Sequence, residues 1–209
     1  MSAKFRPGKS KPRHAGARQH GASLIMVMII LTIVSMLGIA AIQISMMSER
    51  GARNDRDQLL AWQSAEAALM DAESDMFGPG TSSRRTLFTP ATNSSAFLDG
   101  CGTTGTSRGL CSVVTTGKPS WLTVNFTDSS NTASTTAYGA YTSRSFQFGG
   151  AGVQPAKAPR YVIEAIRDPG DTNALMCKGD ECKYVYRVTA MGFGPRADIQ
   201  AVLQMTYRD

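Results

Sequence analysis

Residues 21–48 carry no charged side chain, and apolar residues there follow one another without forming a face: an unbroken run from Leu24 to Leu31, then Ile33, Val34, Met36, Leu37, Ile39, Ile42 and Ile44. At 1.5 Å of rise per residue, roughly 25 such residues build a helix somewhat longer than a ~30 Å hydrocarbon core. Past Ser48 the pattern changes. Leu59, Trp62, Ala65, Leu69, Ala72 and Met76 recur at spacings of 3, 3, 4, 3 and 4, which is one apolar stripe on a helix. No proline lies between Ala22 and Phe77, and Gly78-Pro79-Gly80 is the first cluster able to stop the helix. The pattern predicts one helix over residues 22–77, lipid-compatible at 22–48 and amphipathic at 49–77. Glu49 with Arg53, and Arg53 with Asp57, are opposite charges four apart that support the solvated stretch by roughly a few tenths of a kcal/mol each.

The far end of the chain alternates with period two. Ile199, Ala201, Leu203, Met205 and Tyr207 are separated by Gln200, Gln204 and Thr206, so a strand over 199–207 has one apolar face suited to cover the helix stripe. Residues 161–166 and 183–191 also read as strands, with Gly192 to Asp198 as the turn before the last one. Residues 159–209 therefore predict an antiparallel sheet, and the whole an α+β chain. Between helix and sheet, residues 78–158 are rich in Ser, Thr, Gly and Asn, a poor composition for a core. Three apolar islands in that region, Leu110–Val114, Trp121–Phe126 and Phe146–Phe148, are short enough to be strands. Asn93-Ser94-Ser95 and Asn125-Phe126-Thr127 fit a glycosylation spacing but read as loop polarity.

Charge changes the picture. Six of the 22 Lys+Arg stand in the first twenty residues (Lys4, Arg6, Lys9, Lys11, Arg13, Arg18) with no acid among them, which leaves 16 bases against 16 acids in the remainder. The formal +6 belongs to this leader, and a basic segment before an apolar span stays in the cytosol, so everything after residue 48 is expected to be exported. The same arithmetic opposes a nucleic-acid-binding remainder, whose Lys and Arg would have to neutralise phosphates. Both histidines, His14 and His20, also lie in the leader. The remainder then has no Ser/His or Cys/His nucleophile pair and no His-ligated metal site, and no phosphate loop occurs. We expect a non-enzymatic chain without cofactor or metal.

Cys101, Cys111, Cys177 and Cys182 all follow the apolar span, in the part expected to reach an oxidising compartment. Four cysteines allow three pairings, and the sequence leaves the choice open. Proximity favours Cys101 with Cys111 and Cys177 with Cys182, each loop contributing roughly 2–3 kcal/mol in the chain-entropy model. With nine and four intervening residues, the first pair misses the usual two-to-four spacing of a four-thiolate zinc site, so disulfides are the better reading. Lys178 to Glu181 reads as an exposed tight turn, and Asp168 to Asn173 as a turn rather than a calcium loop, since the distal Glu is missing. Glu66, Asp71 and Glu73 have no histidine or lysine constellation nearby and are given solvent, capping or intersubunit roles.

The apolar span has several readings. It is too long for a secretory signal peptide, although Gly38 to Ala41 imitates a cleavage site, and an uncut signal anchor ahead of a periplasmic domain fits the hydropathy equally well. The junction Gln19-His20-Gly21-Ala22-Ser23-Leu24-Ile25 resembles the leader of type IV pilins, in which a prepilin peptidase cuts after the Gly and methylates the new N-terminus. That resemblance implies a leader of residues 1–21, cleavage between Gly21 and Ala22, and methylation of Ala22. Ser48 to Asp57 (SERGARNDRD) and Gln63 to Glu73 (QSAEAALMDAE) resemble the N-terminal helix of the PilX minor-pilin family. Pro159 to Glu164, Tyr186 to Gly194 and Ala201 to Arg208 resemble its closing strands.

The resemblance implies a pilin-like lollipop: a long helix, half in the membrane, with its amphipathic half on an antiparallel sheet. It also implies a structural subunit that helps to prime a type IV pilus at or near its tip. Its partners would be other minor pilins, the major pilin, the prepilin peptidase, the inner-membrane assembly platform and a large tip adhesin. The chain would first sit in the inner membrane with a cytosolic N-terminus and a periplasmic domain, then in the pilus at the cell surface. Met26 occupies the fifth mature position, where major pilins usually carry a Glu thought to pair with a neighbour's N-terminal amine. The tip pseudopilin of type II secretion shares that lack and is the nearest alternative, although it is usually larger.

Overall fold

The computed structural model describes residues 22–79, 84–88, 94–148, 151–168, 170 and 183–208. Two compact units divide the chain, Met1–Arg50 and Gly51–Asp209. Helix α1 runs over Ala22–Phe77, as the absence of proline and the breaker after it require. Its end is set by Gly78, whose N–H donates to the Ser74 carbonyl at 2.9 Å. A Cβ at that position would lie 2.2 Å from the same oxygen, so only glycine closes the helix there. In the first unit the side chains of residues 23–50 are exposed around the whole circumference.

In Gly51–Asp209 the main element is a sheet with strand order β1-β3-β4-β5, and β2 pairs with β3 off this path. The strands are β1 (Leu110–Ser112), β2 (Thr136–Ala137), β3 (Arg160–Arg167), β4 (Tyr184–Phe193) and β5 (Gln200–Arg208). The expected meander is present: Ile163 faces Val188 across β3/β4, and Val188 faces Met205 across β4/β5, both antiparallel. The turn between β4 and β5 closes where the Gly194 N–H donates to the Ile199 carbonyl at 2.8 Å.

Two of the three apolar islands depart from expectation. Residues 110–112 do form a strand, but parallel to β3, with Leu110 opposite Ile163, so the sheet is mixed rather than purely antiparallel. Ser120–Thr123 is a single helical turn, α2, started by extended Pro119 and closed by the Val124 N–H on the Ser120 carbonyl. Thr123 also donates its hydroxyl to Ser120 O at 2.9 Å. These local bonds of Ser and Thr compete with a ladder and win. Residues 146–148 are irregular, because Phe146 stacks edge-on between Tyr138 and Phe148 instead of pairing its backbone.

Strand alternation builds a core on each face of the sheet. Tyr161 and Ile163 of β3, with Tyr186, Val188 and Ala190 of β4, pack towards Ala68, Leu69, Ala72 and Met76 of α1. Val162 turns the other way, to Cys101, Cys111 and Phe126. The helix stripe is correct from Ala65 onwards, but Leu59 and Trp62 are 56% and 48% exposed, and Ala61, Ser64 and Ala68 are buried in their place. The reason is closeness. At Gly192 of β4 a Cβ would stand 2.2 Å from the Ala61 carbonyl oxygen and 2.3 Å from the Ala65 nitrogen. Only a face of alanines admits a strand backbone that near, so the large side chains fall outside it.

Candidate functional site

The first candidate is the exposed half of α1. Among the described residues it is the one helix long and apolar enough to cross a membrane, and none of its most apolar window is buried. Met26 is 69% exposed. The Thr32 hydroxyl is satisfied within the helix by the Ile29 carbonyl at 2.8 Å, leaving that polar group no demand on solvent. Apolar surface this extensive is stable only against lipid or other helices. Gly21, on the leader side of the expected cut, lies outside the described residues, and Ala22 is the first residue of α1.

The second candidate is a cluster of charges buried at the other end of α1. The Asp75 and Arg84 side chains form a doubly bonded ion pair, with side-chain exposures of 0% and 1%. The Tyr161 hydroxyl donates to Asp75 Oδ2 at 2.9 Å. Arg84 Nη1 donates to the carbonyls of Thr106 and Arg108 at 3.0 and 2.6 Å, and its guanidinium lies 3.9 Å from the centre of the Tyr141 ring. Burial, then the Asp75 carboxylate, pushes the Tyr161 phenol well above its ordinary value, so it remains a donor.

One turn earlier, Asp71 accepts the Gly139 N–H at 2.7 Å and the Thr142 hydroxyl. The expected solvent, capping or intersubunit role for Asp71 is therefore corrected: it is fully buried and pins the 139–142 loop onto the helix. Glu66 does face solvent, where it accepts the Trp62 indole N–H at 2.8 Å, and Glu73 is exposed. Asp75 and Arg84 were missed. A signal existed: carboxylates in the last turns of a helix oppose its dipole and need a cation or donors, and Arg84-Arg85 is the first base pair after the breaker.

Burial pushes the Asp71 carboxyl up from its ordinary value, against the pull of Thr142 and Gly139. The folded chain then holds that proton more tightly than the unfolded one, so stability falls as pH rises from the ordinary carboxylate value through the folded one. Asp71→Asn, which keeps an oxygen acceptor without charge, is expected to flatten that slope and cost under about 1 kcal/mol at neutral pH. Asp71→Ala strips the Gly139 N–H of its acceptor and should cost about 1–3 kcal/mol. Melting both variants between about pH 4 and pH 8 separates the cases, and equal losses would contradict this assignment.

Cys101 and Cys111 are joined by a disulfide, while Cys177 and Cys182, with residues 178–181 where a tight turn is expected, lie outside the described residues. Asp168 takes the Gly170 N–H at 2.9 Å and Arg208 Nη2 at 3.0 Å, the partners of a turn and a surface ion pair. The Asn125 side-chain oxygen is used by the Thr127 N–H and hydroxyl, a local turn. Among the described residues no group of three or more His, Cys, Asp or Glu is placed to hold a metal ion.

Comparison with known proteins gives two overlapping matches. Residues 20–69 match the family model described as PilX N-terminal, and residues 52–209 match the one described as type IV pilus assembly protein PilX C-term. No curated protein matches. No solved structure does either.

Proposed function

Because the chain belongs to the type IV pilus assembly protein PilX family and is a minor pilin, we propose that it stands at or near the pilus tip and helps to start assembly. The observation that carries this reading is Met26, exposed on a helix whose residues 22–48 contain no charge. A carboxylate near the centre of a membrane helix costs roughly 2.5–3.5 kcal/mol, less at its edge, and a thioether costs nothing comparable. Met26 therefore enters lipid readily but offers nothing to a neighbour's N-terminal amine, which suits a subunit with none above it.

In this reading the prepilin peptidase removes the leader between Gly21 and Ala22 and Ala22 is methylated, with the apolar helix surviving the cut. The chain waits in the inner membrane, N-terminus towards the cytosol and Gly51–Asp209 in the periplasm. The assembly platform then moves residues 22–48 from lipid into the pilus. One apolar surrounding replaces another, so the exchange is driven by packing and by the assembly motor rather than by release from water. Other minor pilins, the major pilin and a large tip adhesin are the partners, and the chain's role is structural rather than enzymatic.

Met26→Glu tests the placement. Gold-labelled wild-type chain is expected at pilus ends, and the variant spread along the shaft. Wild type already spread along the shaft would overturn the proposal.

A further inference from the structure

The charge cluster and the disulfide share one piece of chain. The ring closed by Cys101–Cys111 contains both carbonyls that hold Arg84 Nη1, those of Thr106 and Arg108. It also contains Gly105, whose carbonyl accepts the hydroxyl of Tyr141, the ring lying over that guanidinium. Arg108 O further accepts Thr136 Oγ1 at 2.9 Å, and Gly109 O accepts the Ile163 N–H at 2.8 Å, tying the ring to β2 and β3. Arg84 in turn is what neutralises Asp75 of α1.

A guanidinium stays buried only while its donors are matched, and here a large share of the matching comes from backbone oxygens of a loop. That loop carries Gly105 and Gly109 at φ +55° and +70°, conformations that an open chain samples among many others.

We propose that the Cys101–Cys111 bond is a redox clasp on the end of α1: closing it assembles the carbonyl cage that lets Arg84 remain buried on Asp75. Closure is an exchange with a disulfide donor. The two thiols give up two protons and two electrons, one S–S bond forms in the chain and one breaks in the donor, which leaves as two thiols. Opened, the loop withdraws its carbonyls. Arg84 then turns to water, Asp75 loses its cation and keeps the Tyr161 hydroxyl, and the 84–88 segment and the 139–142 loop come away from the helix while β4 and β5 stay paired. Docking of these loops would thus be completed only after the chain meets an oxidant.

The test is hydrogen exchange on the full chain in detergent micelles. Cys101→Ala/Cys111→Ala is compared with wild type, because substitution, unlike a reductant, leaves Cys177 and Cys182 untouched. The expected result is exchange faster by about tenfold or more at the Arg84, Leu87 and Gly139 amides, with β4/β5 amides unchanged. In an Asp75→Leu/Arg84→Met background the same cysteine change should add less than about twofold at those amides. Unchanged exchange at Arg84 and Gly139, or equal acceleration in β4/β5, would overturn the proposal. So would a full effect in the background without the ion pair.

Discussion

Gly192→Val is expected to pull β4 away from α1 and cost about 3 kcal/mol or more, a fall of roughly 10 °C in the melting temperature of Gly51–Asp209. The first added carbon is already the problem, since it would meet the backbone of Ala61 and Ala65 at 2.2 and 2.3 Å in the middle of a helix. Such atoms cannot step aside without breaking helix bonds. Gly192→Ala should therefore share most of the loss. At Gly194 an added carbon would stand 2.7 and 2.9 Å from Ile199 Cγ2 and Cβ and 2.9 Å from the Asp57 carbonyl oxygen, contacts less severe than those at Gly192, so Gly194→Ala should cost less than Gly192→Ala. A Gly192→Val chain melting within about a degree of wild type would mean that helix and sheet do not meet as described.

The second large effect is at the buried ion pair. Asp75→Ala leaves Arg84 charged and enclosed, and breaking a buried pair from one side costs about 3–5 kcal/mol. Arg84→Met should cost as much, by stranding the Asp75 carboxylate. Removing both charges and the phenol together, in Asp75→Leu/Arg84→Met/Tyr161→Phe, should recover more than half of that loss, because no charge or phenol is then left unmatched. Denaturant unfolding of the three variants is the measurement. Single and triple replacements with the same loss would show that the pair acts by shape rather than by charge.

The parts of this molecule that repeat locally were readable from the chain. Alternation from Ile199 to Tyr207 marks β5, the unbroken run from Leu24 marks the lipid-compatible half of α1, and Gly78 marks its end. Pairings between distant residues were not. Parallel β1 is three residues long and owes its existence to β3, fifty residues later, so no period announces it. Leu59 and Trp62 keep the spacing of the stripe yet stand outside, because the packing face is chosen by how near Gly192 comes rather than by hydrophobicity. Asp75 and Arg84 are nine residues apart across a helix breaker, and what joins them is the shared demand of two buried charges. The reading of Asp71 as a solvent, capping or intersubunit residue rests on the lack of a histidine or lysine constellation near it in sequence; the Gly139 and Thr142 donors that reverse it stand 68 and 71 residues away.

The central claim is that an apolar helix outlives the loss of its basic leader and carries the chain from membrane to filament. Intact mass and N-terminal sequence of the protein recovered from membranes and from sheared pili test it directly. The account predicts a chain beginning at methylated Ala22 in both fractions. A full-length chain still bearing residues 1–21, found in membranes and never in pili, would contradict it.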